Sequence, residues 1–136
     1  MYSFDCQSRV RYADTDKMGY LYYGNYAILY EIGRVETMRS LGLTYQEMED
    51  HHHIMMPVAH VESRFMLPAK YDELLTIRTT IEDRPGRIIT FINDIFNQEM
   101  QLIHKAVVKL FFIDMKTNKN ISCPSFLADK LLPYFE

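Results

Sequence analysis

The feature that most constrains this chain is a change of period. Tyr26, Leu29, Tyr30, Gly33, Thr37 and Leu41 recur at helical spacing, and Ile28, Val35 and Met38 widen the apolar face. Beyond residue 50, and as far as residue 114, the period becomes two. His60, Glu62 and Arg64 alternate with Ala59, Val61, Ser63 and Phe65, and Leu75, Ile77, Thr79 and Ile81 alternate with more polar neighbours. Residues 88–96 and 102–113 continue as two further strands, with turn signals at 67–70, at 84–87 and around Gln98. A strand over residues 4–13 precedes the helix. Strands joined by short turns pair antiparallel, because parallel neighbours need crossovers of about a dozen residues or more. The chain is therefore expected to be α+β, with one curved antiparallel sheet wrapped around one long helix.

Local signals sharpen this picture. Asn25 is placed to cap the long helix, and Gly42 to end it in a left-handed conformation with Leu43 packing back on the last turn. Gly33 in mid-helix costs about 1 kcal/mol against Ala, which close approach of helix to sheet would offset. Thr44-Tyr45-Gln46-Glu47 has capping-box spacing for a second, short helix ending near Asp50. Pro124, Phe126, Leu127, Leu131 and Leu132 mark a short C-terminal helix. At 136 residues the chain has the length of one domain, expected over 1–136, and 48% apolar with 24% charged residues excludes a mainly disordered chain. Ten Tyr and eight Phe favour strands and an aromatic groove.

Several function classes drop out. The net charge is −3 and the basic residues are scattered, so no nucleic-acid stripe exists. Two distant cysteines, Cys6 and Cys123, make no disulfide framework and read as buried small residues. No apolar run approaches the roughly 18 residues of a membrane span, so no membrane insertion is expected. The N-terminus lacks signal-peptide regions, which points to the cytoplasm. His51-His52-His53 has no Cys or paired acid at ligand spacing, and no metal is expected there. His60 and His104 fall on strand patterns as packed or surface histidines. There is no Gly-x-Ser-x-Gly elbow and no phosphate-binding or dinucleotide glycine motif.

Residues 9–26 depart from structural routine. Asp14 and Asp16 sit in a loop, followed by Gly19 and an aromatic run, immediately before a helix N-terminus. That end of a helix presents free amides and partial positive charge, suited to an oxyanion. A carboxylate facing it across a small gap can attack a carbonyl carbon or activate a water. On spacing alone, a turn or capping role is the commoner one for such a pair.

The segment Asp14-Thr15-Asp16, Gly19, Tyr22-Tyr23, Asn25-Tyr26, followed by Glu31, Arg34, Glu36 and Arg39 on the helix, resembles the signature of the 4-hydroxybenzoyl-CoA thioesterase family, including the acyl-CoA thioesterases encoded with the Tol-Pal system. A second stretch, Phe65-Met66-Leu67-Pro68-Ala69-Lys70-Tyr71-Asp72-Glu73-Leu74, is similar to the family's second landmark. The resemblance implies a hotdog fold and an acyl-CoA thioesterase that releases free acid and CoA.

Residue by residue, the resemblance makes Asp16 the catalytic carboxylate, as nucleophile or general base, and the Tyr23 backbone amide the polariser of the thioester carbonyl. Gly19, Tyr22, Asn25, Arg84 and Arg87 are its candidate substrate-binding residues, the two arginines for the CoA phosphates. Asn25 is also read as a helix cap, and Asp14 as a loop-holding residue kept as a second catalytic candidate. Tyr23 stands where many Tol-Pal-associated members have His, and Tyr20-Leu21 where small β-branched pairs are usual; both bear on the acyl pocket. No metal or cofactor is implied, CoA being part of the substrate, and the expected assembly is a homodimer or tetramer with sites between protomers. Two rival readings remain open: a thioesterase acting on acyl-carrier-protein, and a non-catalytic acyl-CoA-binding hotdog protein.

Overall fold

The computed structural model describes residues 1–135; of the domain expected over 1–136, Glu136 lies outside the described residues. Its elements in order are β1 (Tyr2–Arg9), 3₁₀ turns at Tyr12–Asp14 and Tyr23–Asn25, α1 (Tyr26–Ser40), α2 (Tyr45–Asp50), β2 (Ile54–Met55), β3 (Val58–Phe65), β4 (Leu74–Ile81), β5 (Ile88–Phe96), β6 (Leu102–Asp114), β7 (Lys119–Ile121), α3 (Ser125–Leu131) and a final 3₁₀ turn at Leu132–Tyr134. All strand pairs are antiparallel, and the sheet runs β1-β4-β5-β6 with β3 on the outer side of β6. β2 and β7 extend the two flanks of the far end of β6. This is the α+β hotdog architecture: a curled sheet holding one long helix.

The helix lies on the sheet through the expected face. Tyr26, Leu29, Tyr30, Gly33, Thr37 and Met38 are buried, against Ile77 and Ile81 of β4 and Phe91 and Ile95 of β5, all fully buried. Each such large apolar side chain contributes about 1.5–3 kcal/mol on burial. Gly33 makes the fit possible: a Cβ there would stand 2.3 Å from Thr79 Oγ1 and 2.8 Å from Ile77 Cγ2. The helix ends as its sequence dictates. Gly42 takes φ +84°, its amide donates to Arg39 O (2.9 Å), and the Leu43 amide donates to Met38 O (3.0 Å), completing a Schellman motif.

Several expectations are corrected. β1 stops at Arg9 rather than Ala13, because the chain turns at once into the Tyr12–Asp14 3₁₀ turn. β3 and β4 are consecutive but not paired: β3 pairs with β6, and β4 with β1 and β5. Residues 66–73 are not a hairpin turn but a crossing from one edge of the sheet towards the other. Ile28, counted on the apolar face, is 47% exposed. Asn25 makes no side-chain cap to α1. Of the box at the start of α2, the Glu47 amide donates to Thr44 Oγ1 (3.1 Å), and Glu47 makes no return bond to the Thr44 amide among the described residues. The short strands β2 and β7 carry too few residues to show a period.

Candidate active site

The site grows out of the loop that follows β1. Its first half is organised around Asp14. The Arg11 guanidinium grips that carboxylate through both oxygens, Nε to Oδ2 at 3.0 Å and Nη2 to Oδ1 at 2.9 Å, and the Arg11 amide adds a third bond at 3.1 Å. This contact holds the Asp14 carboxyl below the usual carboxylate range. Asp14 is thus saturated, and the structural reading of this residue is the one its geometry favours. Its carbonyl is equally occupied, accepting from the Tyr22 amide (3.0 Å) and from Asn25 Nδ2 (2.9 Å). Here lies the physical reason for the missing cap: Asn25 spends its side chain tying the helix start to the aspartate loop.

The second half is a tight turn built on Asp16. Its amide donates to Tyr20 O (2.8 Å), and Gly19, at φ +79°, donates to Asp16 O (3.1 Å). Thr15 bridges Leu21 across the turn. The Asp16 side chain accepts from the Met18 amide (2.9 Å) and the Tyr20 amide (3.2 Å), both at Oδ1. Oδ2 has no partner among the described residues. A half-buried carboxylate is therefore oriented by one oxygen and left free at the other. Gly19 serves its turn through φ; a Cβ there would meet nothing within 4 Å.

The crossing segment 66–73 locks this loop in place. Leu21 donates to Ala69 O (2.8 Å), Tyr71 to Gly19 O (2.8 Å), Asp72 to Val10 O (2.9 Å) and Val10 to Glu73 O (2.9 Å). Tyr20 and Lys70 form an isolated bridge, and Ala69 is fully buried. The two sequence landmarks are thus opposite faces of one latch.

Beyond the loop, the Tyr23–Asn25 3₁₀ turn runs into α1, so that the amides of Tyr23 and Gly24 have no acceptor among the described residues. Tyr22 and Tyr23 stand exposed with ring centroids 4.7 Å apart. Free amides at a helix start and a free carboxylate oxygen on the adjoining loop are the components of acyl transfer chemistry: one polarises a carbonyl, the other delivers or activates a nucleophile. A cleft of about 490 Å³ opens beside them between β1 and α1, lined by Arg11, Asp14, Leu21, Asn25, Ile28 and Leu29 among others. Asp16 does not line it.

The predicted residues do not all converge. Asp14, Asp16, Gly19, Tyr22, Tyr23 and Asn25 share one loop. Arg84 and Arg87 flank the β4–β5 turn, at the end of β4 where Ile81 pairs with Tyr2, whereas the loop leaves the end where Leu74 pairs with Arg9. Eight strand residues separate the two ends, about 25 Å at ~3.3 Å per residue. Within one chain these cations and Asp16 cannot contact one diphosphate. Among the described residues no group of three His, Cys, Asp or Glu has metal-binding geometry, and His52 stacks on Phe126 at 4.1 Å. Burial pushes the thiols of Cys6 and Cys123 up to about 11, which keeps both unreactive. Among the described residues no helix is long and apolar enough to cross a membrane. His60 is exposed and hydrogen-bonded to Glu62, while His104 is fully buried beside Tyr26 and Tyr30, a placement its strand pattern does not announce.

Known proteins resemble this chain in sequence and fold. The thioesterase-like superfamily matches residues 10–131 of the chain. The Bacillus subtilis protein YneP is 33% identical over 112 residues, 82% of this chain and 80% of its own. The Escherichia coli acyl-CoA thioester hydrolase YbgC is 30% identical over 120 residues, 88% and 89% of the two chains. Among solved structures, a DHNA-CoA thioesterase from Staphylococcus aureus superposes with a TM-score of 0.88 at 29% identity, covering 98% of this chain and 89% of that one. A family model matched over residues 10–131, with relatives 30–33% identical over more than four-fifths of the chain, places the protein in the thioesterase-like superfamily, as a thioester hydrolase of hotdog fold.

Proposed function

We propose that this chain is an acyl-CoA thioesterase in which Asp16 carries the chemistry and the Tyr23 amide, with Gly24 beside it, polarises the thioester carbonyl. The observation that carries the reading is the asymmetry of Asp16: Oδ1 is pinned by two amides and Oδ2 is free. As general base, Oδ2 takes a proton from water as the water oxygen attacks the carbonyl carbon. The C=O electron pair moves onto oxygen and is held by the helix-start amides. Collapse expels the CoA thiolate, which takes the proton back from Asp16. As nucleophile, Oδ2 attacks directly, the thiolate leaves, and water then hydrolyses the mixed anhydride. Both routes use the same free oxygen, and both need only Asp16, water and backbone amides, so we assign no metal or cofactor.

The reading of the assembly is supported by β3. All eight of its residues are exposed, and its outer edge has no partner strand among the described residues. Val61 at 47% and Phe65 at 53% exposure make it an apolar, unprotected edge, which a monomer would leave open to association. We assign it to antiparallel pairing with a second copy, giving a homodimer or, as a dimer of dimers, a tetramer. Such pairing reverses the partner's sheet, so the partner's β4–β5 turn comes to the Asp16 end and can supply the phosphate-binding cations. The compartment we assign is the cytoplasm, which suits two half-buried, unpaired thiols.

The test is thiol release from short, long and aromatic acyl-CoAs by wild type and Asp16→Asn, with an acyl-carrier-protein thioester alongside. A fall of about 10²–10⁴-fold in Asp16→Asn with the fold intact supports the reading. Equal turnover by the two proteins removes Asp16 from it. Turnover confined to the carrier protein transfers the substrate, and binding without turnover assigns a binding role.

A further inference from the structure

His104 sits where an apolar residue would be cheaper. It lies on the inner face of β6, fully buried, and its Nδ1 has no partner among the described residues. Burying an imidazole with one nitrogen unpaired is costlier than burying Leu in the same space, and such groups call for a reason beyond packing. The surroundings supply one. The ring stacks on Tyr26 at 4.1 Å and 23°, lies nearly parallel to Tyr30 at 5.6 Å, and meets the edge of Phe65 at 4.6 Å. Tyr26 is the first residue of α1, two positions after the free Gly24 amide, and Phe65, the last residue of β3, precedes the segment that latches the aspartate loop. Tyr26 and Phe65 also pack edge to face at 5.1 Å. A directional element completes the set: His104 Nε2 and Tyr30 Oη are hydrogen-bonded at 2.5 Å, and Tyr30 Oη is hydrogen-bonded to Ser63 Oγ at 2.8 Å.

We propose that the Ser63–Tyr30–His104 chain fixes the helix start against β3 and β6, making Tyr30 and His104 positioning residues for the carbonyl-polarising amides of Tyr23 and Gly24. Apolar contacts let α1 slide or roll at little cost, because they have no preferred direction. A hydrogen-bond chain spanning helix, inner strand and edge strand does not. Burial pushes the imidazole down to about 4, so at neutral pH it stays uncharged and the chain holds one protonation state. An oxyanion hole depends on such fixity, since donors misplaced by about 1 Å can cost 10²-fold in rate.

The inference rests on the thioesterase reading, and its test separates the two. Turnover by wild type on the acyl-CoA panel checks the reading; the comparison among variants checks the inference. Tyr30→Phe removes one oxygen and leaves the ring. It is expected to lower kcat about tenfold or more with KM within about twofold of wild type, at a temperature far below its melting point. Tyr30→Phe with His104→Leu leaves Nε2 no longer orphaned, so the melting temperature should recover relative to Tyr30→Phe alone while kcat stays low. Ser63→Ala removes one hydroxyl from β3 and, with the oligomeric state unchanged from wild type by gel filtration, should lower kcat by a smaller factor that does not add to that of Tyr30→Phe. Recovery of kcat together with stability in the double variant, or wild-type kcat in Tyr30→Phe, would overturn the proposal, because a packing role predicts both.

Discussion

The two ends of the sheet are built for different tasks. At the end where Leu74 pairs with Arg9, residues 10–25 and 66–73 are bound to each other by a dense set of backbone bonds, and Asp14 and Asp16 are both held by main-chain amides. At the other end, the β4–β5 turn carries Arg84 and Arg87 exposed, and the backbone bond that ties it to another segment is the Cys123 amide donating to Gly86 O at 2.7 Å. The glycines report the same contrast: Gly19 is required by its φ of +79°, while Gly86 has open space around it and no left-handed backbone. Charge that develops within a reaction needs donors that do not reorganise, so the loop end is stiff. Charge that greets a flexible diphosphate needs reach, so the hairpin end is open.

That comparison can be broken at several points. The largest effect is expected within the stiff end. Asp16→Asn should lose about 10²–10⁴-fold in turnover, whereas Asp14→Asn should lose less turnover and more stability, since it strips the Arg11 clasp. The opposite ranking in steady-state kinetics would exchange their roles. Next comes the helix seat. Gly33→Ala must push its new methyl into Thr79 and Ile77 and should cost about 1–3 kcal/mol in urea unfolding. A matched pair compares the ends directly: Gly19→Ala should cost about 1–2 kcal/mol through its left-handed backbone, and Gly86→Ala within about 0.5 kcal/mol. Equal costs would remove the stiffness argument.

The cations give a smaller, kinetic effect. Arg84→Ala and Arg87→Ala should each raise KM for acyl-CoA by up to about fivefold with kcat retained, and the difference should shrink with added salt. Unchanged KM would favour the carrier-protein substrate. The smallest effect is in pH. His104 is held near 4 in the fold against 6.5 unfolded, so between those values the unfolded chain takes up a proton that the folded one refuses. Stability contributed by the neutral imidazole is complete above pH 6.5 and lost as pH falls towards 4. The thermal midpoint should therefore decline over that window, and His104→Leu should flatten the decline. Asp14, held below its ordinary 3.8 by Arg11, adds a separate loss only under more acid conditions, as its own proton binds.

The helix was legible because its buried residues recur at fixed intervals, and its end because Gly42 must adopt a positive φ. The strands β5 and β6 were legible for the same reason of period. The aspartate loop was legible through its similarity to a known signature rather than through spacing, which describes an ordinary turn equally well. The Asn25 cap failed because a side chain that can cap a helix can also bond any nearby carbonyl, and Asp14 O was nearer. The β3–β4 hairpin failed because a short link between strands does not require pairing when it has other partners, here Val10, Gly19 and Leu21. Nothing in the alternation around residue 104 distinguishes a strand histidine facing water from one closed between Tyr26, Tyr30 and Phe65.

By itself, then, the sequence determined the parts: a long helix with one apolar face, antiparallel strands, a loop with two carboxylates at a helix start. Periodicity and turn chemistry are local, and local rules suffice for them. Only the tertiary structure decided how carboxylates two residues apart divide their labour, why two landmarks some fifty residues apart form one latch, and that the arginines lie at the far end of the sheet from the acid. Those outcomes depend on which backbone groups meet across the fold, and such meetings are set by strand order and helix seating rather than by any residue's neighbours in the chain.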